Sequence, residues 1–242
     1  MKTDTNIGTL YGIGVGPGDP DLLTLKAIKI LKRVNRVFTA ASTKNTYSLA
    51  VNIAKPHLVE TATIVLLPFP MTNDEVEKQD AWEINAKRII DELHYGHDVA
   101  FLTLGDPMTY STFGYIVKYI QAKAPHIHIE TIPGITSYQA AAARINTPLV
   151  EGEEALLIVS GAKGGDHIRK HIGNVENVVL LKAYKYLEDI RLAFEESGFN
   201  KKCIAISHCG QDDEEIIEDI DALCQKKPDY WTLVIAKQRF DN

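Results

Sequence analysis

Apolar runs that suit β-strands alternate with segments of helical periodicity along almost the whole chain. The runs predicted as strands cover residues 9–15, 36–40, 63–67, 99–104, 127–132, 155–160, 178–182, 204–207 and 231–236. Between them apolar side chains recur every three or four residues, as in Leu23, Ala27, Ile30, Leu31 and Val34. That spacing is typical of a helix with one buried face. The alternation predicts an α/β fold with mainly parallel, mixed sheets.

The length of 242 residues indicates two domains, because a single compact core of that size is unusual. The segment 148–154 contains a proline, a glycine and an acidic cluster between two periodic regions, a composition that favours a linker. We therefore expect α/β domains at 1–147 and 148–242. Within the second, the acidic segment 212–215 is expected to form a turn or the start of a helix.

Composition narrows the possible partners and the compartment. The net charge of −6 argues against nucleic acid as a partner, because nucleic-acid binders usually carry a basic excess. No apolar run approaches the roughly 18 residues that span a bilayer, and the polar N-terminus predicts no signal peptide, so we expect a cytoplasmic protein without a membrane partner. Three cysteines without CxxC spacing, and histidines in incomplete ligand sets, predict neither disulfides nor a metal site.

Three polar loops follow strands of the first half and are the candidates for chemistry. The first, residues 12–20, has glycines at 12, 14, 16 and 18, but the sixth position of a dinucleotide fingerprint is occupied by Pro17 or Asp19. What remains is a tight turn where another backbone or a ligand approaches closely. The second loop is Gly105-Asp106-Pro107 with a hydroxyl-rich continuation, and the third is Pro133-Gly134-Ile135-Thr136-Ser137. Each alone could be a simple turn or helix cap.

Together the three loops resemble the signature segments of the tetrapyrrole (corrin and sirohaem) methylases, and the resemblance extends from about Leu10 to about Ala236. Within that family, Phe69-Pro70-Met71 followed by Trp82, and residues 103–112, resemble the branch that methylates C-20 of cobalt-factor II or precorrin-2 in cobalamin biosynthesis. The resemblance implies a homodimer of two-domain subunits with the active site in the interdomain cleft. It also implies S-adenosylmethionine as the methyl donor.

Carried over position by position, the resemblance implies two sets of binding residues. The donor would contact Gly105, Asp106, Met108, Thr109, Ser111, Thr112, Thr136, Ser137, Ser160, Gly161 and Ala183. The tetrapyrrole would contact Pro17, Tyr110, Arg144, Lys163 and Tyr184. Lys182, Lys185 and Arg191 are further candidates for holding the carboxylates of the substrate, although exposed lysine and arginine side chains are usually only solvated.

The implied chemistry needs little from the protein except alignment, because the sulfonium methyl group is already activated. No catalytic acid or base is therefore assigned. His208 is one candidate axial ligand for a substrate cobalt, and burial at the end of a strand explains it equally well. Two other functions remain open: methylation of ribosomal RNA or of a protein within the same superfamily, and a non-catalytic binding protein that keeps only the fold.

Overall fold

The computed structural model describes residues 7–42, 48–70, 72, 74–171, 175–199 and 203–238. The α/β fold class is confirmed, and the chain divides into two compact units, Met1–Thr136 and Ser137–Asn242. Each unit contains one five-stranded sheet. Met71, one of the residues that carried the resemblance, lies outside the described part of the chain.

The first unit is built on a parallel sheet. Its strands are β1 (Leu10–Gly14), β2 (Arg36–Ser42), β3 (Thr63–Phe69), β4 (Val99–Thr103) and β5 (Ile129–Ile132), in the spatial order β3-β2-β4-β1-β5. Every pairing is parallel. Strand β4 is apolar except at Thr103 and is buried through Leu102, as expected of a central strand that is covered on both faces.

Helices cover both faces of this sheet. They are α1 (Leu25–Leu31), α2 (Leu49–Ala54), α3 (Glu75–His94) and α4 (Phe113–Lys123). Helices α1 and α2 pack with Ile13 and Leu102 on one face, whereas α3 and α4 pack with Leu10 and Phe101 on the other. The chain therefore leaves the neighbouring strands β1 and β4 towards opposite faces, which is the topological switch point where open α/β sheets bind ligands.

The second unit has a mixed sheet whose pairings are mainly antiparallel, so the expectation of a parallel majority is wrong there. Its strands are β6 (Leu156–Ser160), β7 (Asn177–Leu181), β8 (Cys203–Ser207), β9 (Glu215–Ile217) and β10 (Thr232–Lys237), in the order β6-β7-β10-β8-β9. Only β6 and β7 run parallel. The acidic segment expected to be a turn or helix start leads into β9, which is too short for its alternation to be visible.

The helices of the second unit are α5 (Ser137–Arg144), α6 (Asp166–His171), α7 (Leu187–Glu196) and α8 (Ile220–Gln225). Helix α5 belongs to this unit because Ala141 and Ala142 pack with Leu181, Leu233 and other side chains of its sheet. The boundary between the units consequently falls after Thr136, eleven residues before the expected one at 147.

The expected linker is itself fastened to the second sheet by a buried lysine. Lys237 of β10 is only 3% exposed, and its ammonium donates to the carbonyl of Pro148 at 2.7 Å and lies 3.5 Å from Glu151. Glu154 accepts a hydrogen bond from the Asn177 side chain at 3.0 Å. The polar composition at 148–154 therefore reflects packing against β10 and β7.

Replacing Lys237 by methionine is expected to lower the free energy of unfolding by about 1.5–3 kcal/mol, the range for hydrogen bonds to charged groups. Methionine keeps most of the buried volume but leaves the Pro148 carbonyl without its donor. Urea denaturation measures the change, with Lys118→Met on exposed α4 as the control, expected within about 0.5 kcal/mol of the parent. An equal loss in both variants would contradict the role assigned to Lys237.

Candidate functional site

The three polar loops of the first unit meet at the carboxyl edge of its sheet. The Val15 amide donates to the carbonyl of Thr103 at 3.0 Å, which joins the first loop to the end of β4. Gly16 and Gly105 then form an antiparallel bridge, with the Gly105 amide 2.7 Å from the Gly16 carbonyl. The third loop, which follows β5, contacts both of the others through Gly134. The sequence therefore places its three candidate segments together at the switch point.

Glycine is required at this junction because backbone touches backbone. A Cβ on Gly14 would lie 2.6 Å from the Gly105 carbonyl oxygen and 2.6 Å from the Gly134 nitrogen. A Cβ on Gly134 would lie 2.2 Å from the same Gly105 oxygen. Gly12 is needed for a different reason, since a Cβ there would enter the Phe113 ring at 2.1 Å. These glycines serve loop and helix packing, which explains why their spacing departs from the dinucleotide fingerprint.

Asp106 ties the second and third loops together with its carboxylate. One oxygen accepts from the Met108 amide at 2.8 Å and from the Thr109 hydroxyl at 3.5 Å. The other oxygen accepts from the Gly134 amide at 3.1 Å. Short polar side chains of this kind commonly order turns by bonding the backbone two residues on. Asp106 thus shapes the surface that the loops present.

The remaining candidates of the first unit differ in exposure. Met108 and Tyr110 are 63% and 55% exposed, and Tyr110 has a left-handed backbone with φ of 50°. The Ser111 hydroxyl lies 2.8 Å from the Thr103 hydroxyl and accepts from the Phe113 amide at 3.1 Å, so it orders the start of α4. Thr109 and Thr112 are half-buried, whereas Pro17 and Thr136 are buried.

Strand register gathers the candidates of the second unit at one edge of its sheet. Ser160, at the end of β6, pairs with Leu181 at the end of β7. Leu181 pairs with Leu233 near the start of β10, and Thr232 pairs with Ser207 at the end of β8. The loops that follow β6, β7 and β8 and the one that precedes β10 therefore lie side by side. They carry Gly161, Lys163, Ala183 and Tyr184.

These residues are not equally available to a ligand. The side chain of Ala183 is fully buried in the core of the unit, and its amide donates to the Thr232 carbonyl at 2.9 Å. The Gly161 amide donates to Leu181 at 2.7 Å, and the Ser160 hydroxyl accepts from the Ala162 amide at 3.4 Å. Ala183 could therefore contribute to a ligand site only through its backbone.

The other second-unit candidates lie closer to the surface. Lys163 is exposed, while Ser137 and Tyr184 are half-buried. The exposed Arg144 side chain forms an ion pair with Glu214, whose other carboxylate oxygen accepts from the Gly210 amide at 2.9 Å. The charge of Arg144 is therefore largely offset within its own unit.

Strained backbone is concentrated at the same two edges. Of the described non-glycine residues with positive φ, Tyr110 lies in the second loop, and Lys182, Tyr186 and His208 lie in the loops after β7 and β8. Each such conformation costs on the order of 1–3 kcal/mol and is common in ligand-binding loops. Sequence reasoning missed this signal, because a backbone angle of a lysine or tyrosine is not visible in residue type.

Three further residues of the second edge were also missed. Tyr230 and Trp231 precede β10 and pack edge to face at 5.3 Å, and Tyr230 contacts Tyr184 in the same manner at 5.7 Å. His208 faces Asp213 at 2.9 Å and Asp229 at 2.7 Å, one carboxylate on each ring nitrogen. This arrangement uses both nitrogens, so His208 as it stands offers no ligand atom to a cobalt ion. No cluster of three or more metal-binding side chains occurs among the described residues.

Asp189 holds the loop after β6 in place and gives it a pH dependence. A hydrogen bond from the Gly165 amide, and after it Arg169, lowers the pKa of Asp189; the distances are 2.7 and 2.8 Å. A lowered folded-state pKa adds stability that is present above the unfolded value of about 3.9 and is lost as the pH falls through the folded value.

We expect Asp189→Asn, which keeps an acceptor for Gly165 but removes the charge opposite Arg169, to narrow the acid limb of stability. The urea midpoint of the variant should lie below that of the parent by a constant amount above about pH 5. The two midpoints should converge as the pH falls below about 4. Parallel midpoint curves down to pH 2 would contradict this assignment.

Comparison with known proteins places these features in one family. A family model described as Tetrapyrrole (Corrin/Porphyrin) Methylases matches residues 9–223. A probable cobalt-precorrin-2 C(20)-methyltransferase of Methanocaldococcus jannaschii is 38% identical over 173 residues, which are 72% of this chain and 71% of that protein. The cobalt-precorrin-2 C(20)-methyltransferase of Salmonella typhimurium is 28% identical over 235 residues, 97% of this chain and 98% of that protein.

Solved structures share the fold at lower sequence identity. A cobalt precorrin-4 methyltransferase matches with a TM-score of 0.74 at 21% identity and covers 97% of this chain and 96% of its own. The uroporphyrin-III C-methyl transferase of Thermus thermophilus, complexed with S-adenyl homocysteine, matches with a TM-score of 0.68 at 20% identity, covering 96% and 98%. At these identities the likeness concerns the fold.

Proposed function

The chain belongs to the tetrapyrrole (corrin/porphyrin) methylases, and on that premise we propose that it transfers a methyl group from S-adenosylmethionine to C-20 of cobalt-precorrin-2 or a closely related macrocycle. The observation that carries the proposal is the convergence of the three family loops on the switch point of the first sheet. The two C(20)-methyltransferase relatives support the choice of acceptor and of position.

The loop surface of the first unit suits the donor. Gly105 has a φ of +67°, and a Cβ built there would meet nothing closer than 3.9 Å, so its backbone borders open space. The half-buried hydroxyls of Thr109 and Thr112 lie beside it in the chain. Backbone and hydroxyl groups of this kind can bind an adenosyl amino acid, which is polar and zwitterionic. The relative complexed with S-adenyl homocysteine supports the same donor.

The reaction itself asks the protein for positioning. The carbon–sulfur bond breaks with its electron pair going to sulfur, and the new carbon–carbon bond uses a π pair of the macrocycle. The proton on the meso carbon is then lost to solvent. We propose that both sheet edges, including Ser160 and Gly161 of the second, contribute to one site that aligns sulfur, methyl and carbon. Alignment of this kind is worth roughly 7–11 kcal/mol in favourable intramolecular models.

A substrate panel tests the function. The protein is incubated with methyl-labelled S-adenosylmethionine and, separately, with cobalt-sirohydrochlorin, metal-free sirohydrochlorin or ribosomal RNA. We expect label in the cobalt macrocycle, and mass spectrometry with NMR should locate it at C-20. Label in RNA alone, or no transfer to any acceptor although the donor binds, would contradict the proposal.

The same resemblance supports a homodimer in the cytoplasm. The described cysteines are all free, which suits a reducing compartment. Among the described helices none has the length and apolar character needed to cross a membrane. Light scattering coupled to gel filtration should give twice the chain mass of 26.9 kDa; a value equal to one chain would contradict the dimer.

A further inference from the structure

We propose that Lys182 and Lys185, held over the rings of Tyr230 and Tyr184, bind the peripheral carboxylates of the acceptor. This inference rests on the proposed function and adds to it the residues that recognise the macrocycle. All four residues lie in two loops of the second unit, one after β7 and one before β10. Register places both loops at the edge that carries Ser160 and Gly161.

The geometry of this cluster fixes two ammonium groups close together. The Lys182 ammonium lies 5.0 Å from the centre of the Tyr230 ring, and the Lys185 ammonium lies 5.1 Å from the centre of the Tyr184 ring. The two rings are in edge contact at 5.7 Å. A cation over an aromatic face keeps its full charge, because the ring attracts it without neutralising it. Both lysines can therefore still pair with an anion.

Other cations of the second unit are already neutralised by carboxylates. Arg144 pairs with Glu214, and Arg191 pairs with Glu188 and Glu195. Arg169 contacts Asp166, Asp189 and Glu196. Lys185 forms no ion pair with the described residues. The acceptor carries carboxylates around a flat ring, so it needs cations that are not already engaged in this way.

The backbone holds the cluster in a conformation that side chains alone would not select. Lys182 and Tyr186, at the two ends of the turn after β7, have φ of 60° and 55°. Strain of this kind persists where the surroundings impose it, and it is typical of ligand-binding turns.

The loop before β10 is fixed just as firmly. Asp229 accepts from the Trp231 amide at 2.8 Å and contacts His208 at 2.7 Å, so the residue between them, Tyr230, is anchored on both sides. His208 and Asp229 are positioning residues in this arrangement. Preorganised cations lose less freedom when an anion binds, which favours affinity.

The experiment compares Lys182→Gln/Lys185→Gln with Lys170→Gln, an exposed lysine of α6 outside the cluster. S-adenosylhomocysteine affinity is measured by calorimetry, and KM for cobalt-sirohydrochlorin is measured at two salt concentrations. We expect the double variant to raise the acceptor KM by about tenfold or more, with donor affinity unchanged and with a weaker dependence of KM on salt. Lys170→Gln should behave as the parent. Tyr230→Leu should raise KM less than the double variant, since the ammonium remains but loses its support.

The outcomes separate this inference from the function on which it rests. If the parent protein methylates the macrocycle and the double variant keeps the parental KM, the assignment of the two lysines is wrong while the function stands. A loss of donor affinity with an unchanged acceptor KM would also overturn it, because the lysines would then serve the donor. If the parent protein methylates none of the acceptors, the proposed function has failed first.

Discussion

Replacing Gly134 by alanine is expected to abolish measurable binding of S-adenosylhomocysteine. The new Cβ would lie 2.2 Å from the Gly105 carbonyl oxygen and 2.8 Å from the backbone of Gly14. These neighbours are backbone atoms of two other loops, so they cannot move aside as a flexible side chain could. The loops must separate, and we expect the affinity to fall by about 100-fold or more, which corresponds to ~2.7 kcal/mol.

Stability should fall as well, by about 1–3 kcal/mol, the usual range for overpacking. The control is Gly114→Ala on α4, where a Cβ would meet nothing within 4 Å. That change should leave donor binding intact and raise stability by about 0.5–1 kcal/mol, because alanine is a better helix former than glycine. Calorimetry and urea denaturation measure both effects. Normal binding by folded Gly134→Ala protein would show that the loop junction is not part of the donor site.

Removing the carboxylate of Asp106 should weaken donor binding far more than it lowers stability. Asp106→Ala deletes the acceptor of the Met108 and Gly134 amides, so the second and third loops lose their tether. The residue is half-buried, and we expect a loss of about 1 kcal/mol in unfolding free energy. The donor dissociation constant should rise by at least about tenfold, or ~1.4 kcal/mol.

Asp106→Asn is the matched variant, since its side-chain oxygen can still accept one of the two hydrogen bonds. Its donor affinity should lie between those of the parent and Asp106→Ala. Titration calorimetry at matched temperature compares the three proteins. If Asp106→Ala bound S-adenosylhomocysteine as tightly as the parent, the loop it orders would not contact the donor.

The first unit follows closely from sequence pattern because its strands are long, apolar and separated by helices of clear periodicity. The strand from Val99, buried on both faces, and the Gly-Asp-Pro loop after it could be placed without a structure. Parallel strands bring their carboxyl ends to one edge, so the meeting of the three loops also follows from the pattern. The structure adds the reason for each glycine, which depends on contacts between loops distant in the chain.

The second unit was harder to predict, for physical reasons. Strand direction is set by pairing partners, and no periodicity distinguishes an antiparallel β10 from a parallel one. The polar segment at 148–154 looked like a linker because its glutamates are hydrophilic, although Lys237, 86 residues further along from Glu151, fastens it to the sheet. The Lys182 and Tyr230 contact joins residues of unrelated local pattern and requires the fold to be known.

The most direct test of the account is a crystal structure of the protein with S-adenosylhomocysteine bound. We predict that the ligand contacts the Gly105–Asp106 turn and Thr136 of the first unit and reaches Ser160 or Gly161 of the second. A ligand bound elsewhere, with the surface of the three loops empty, would contradict the account.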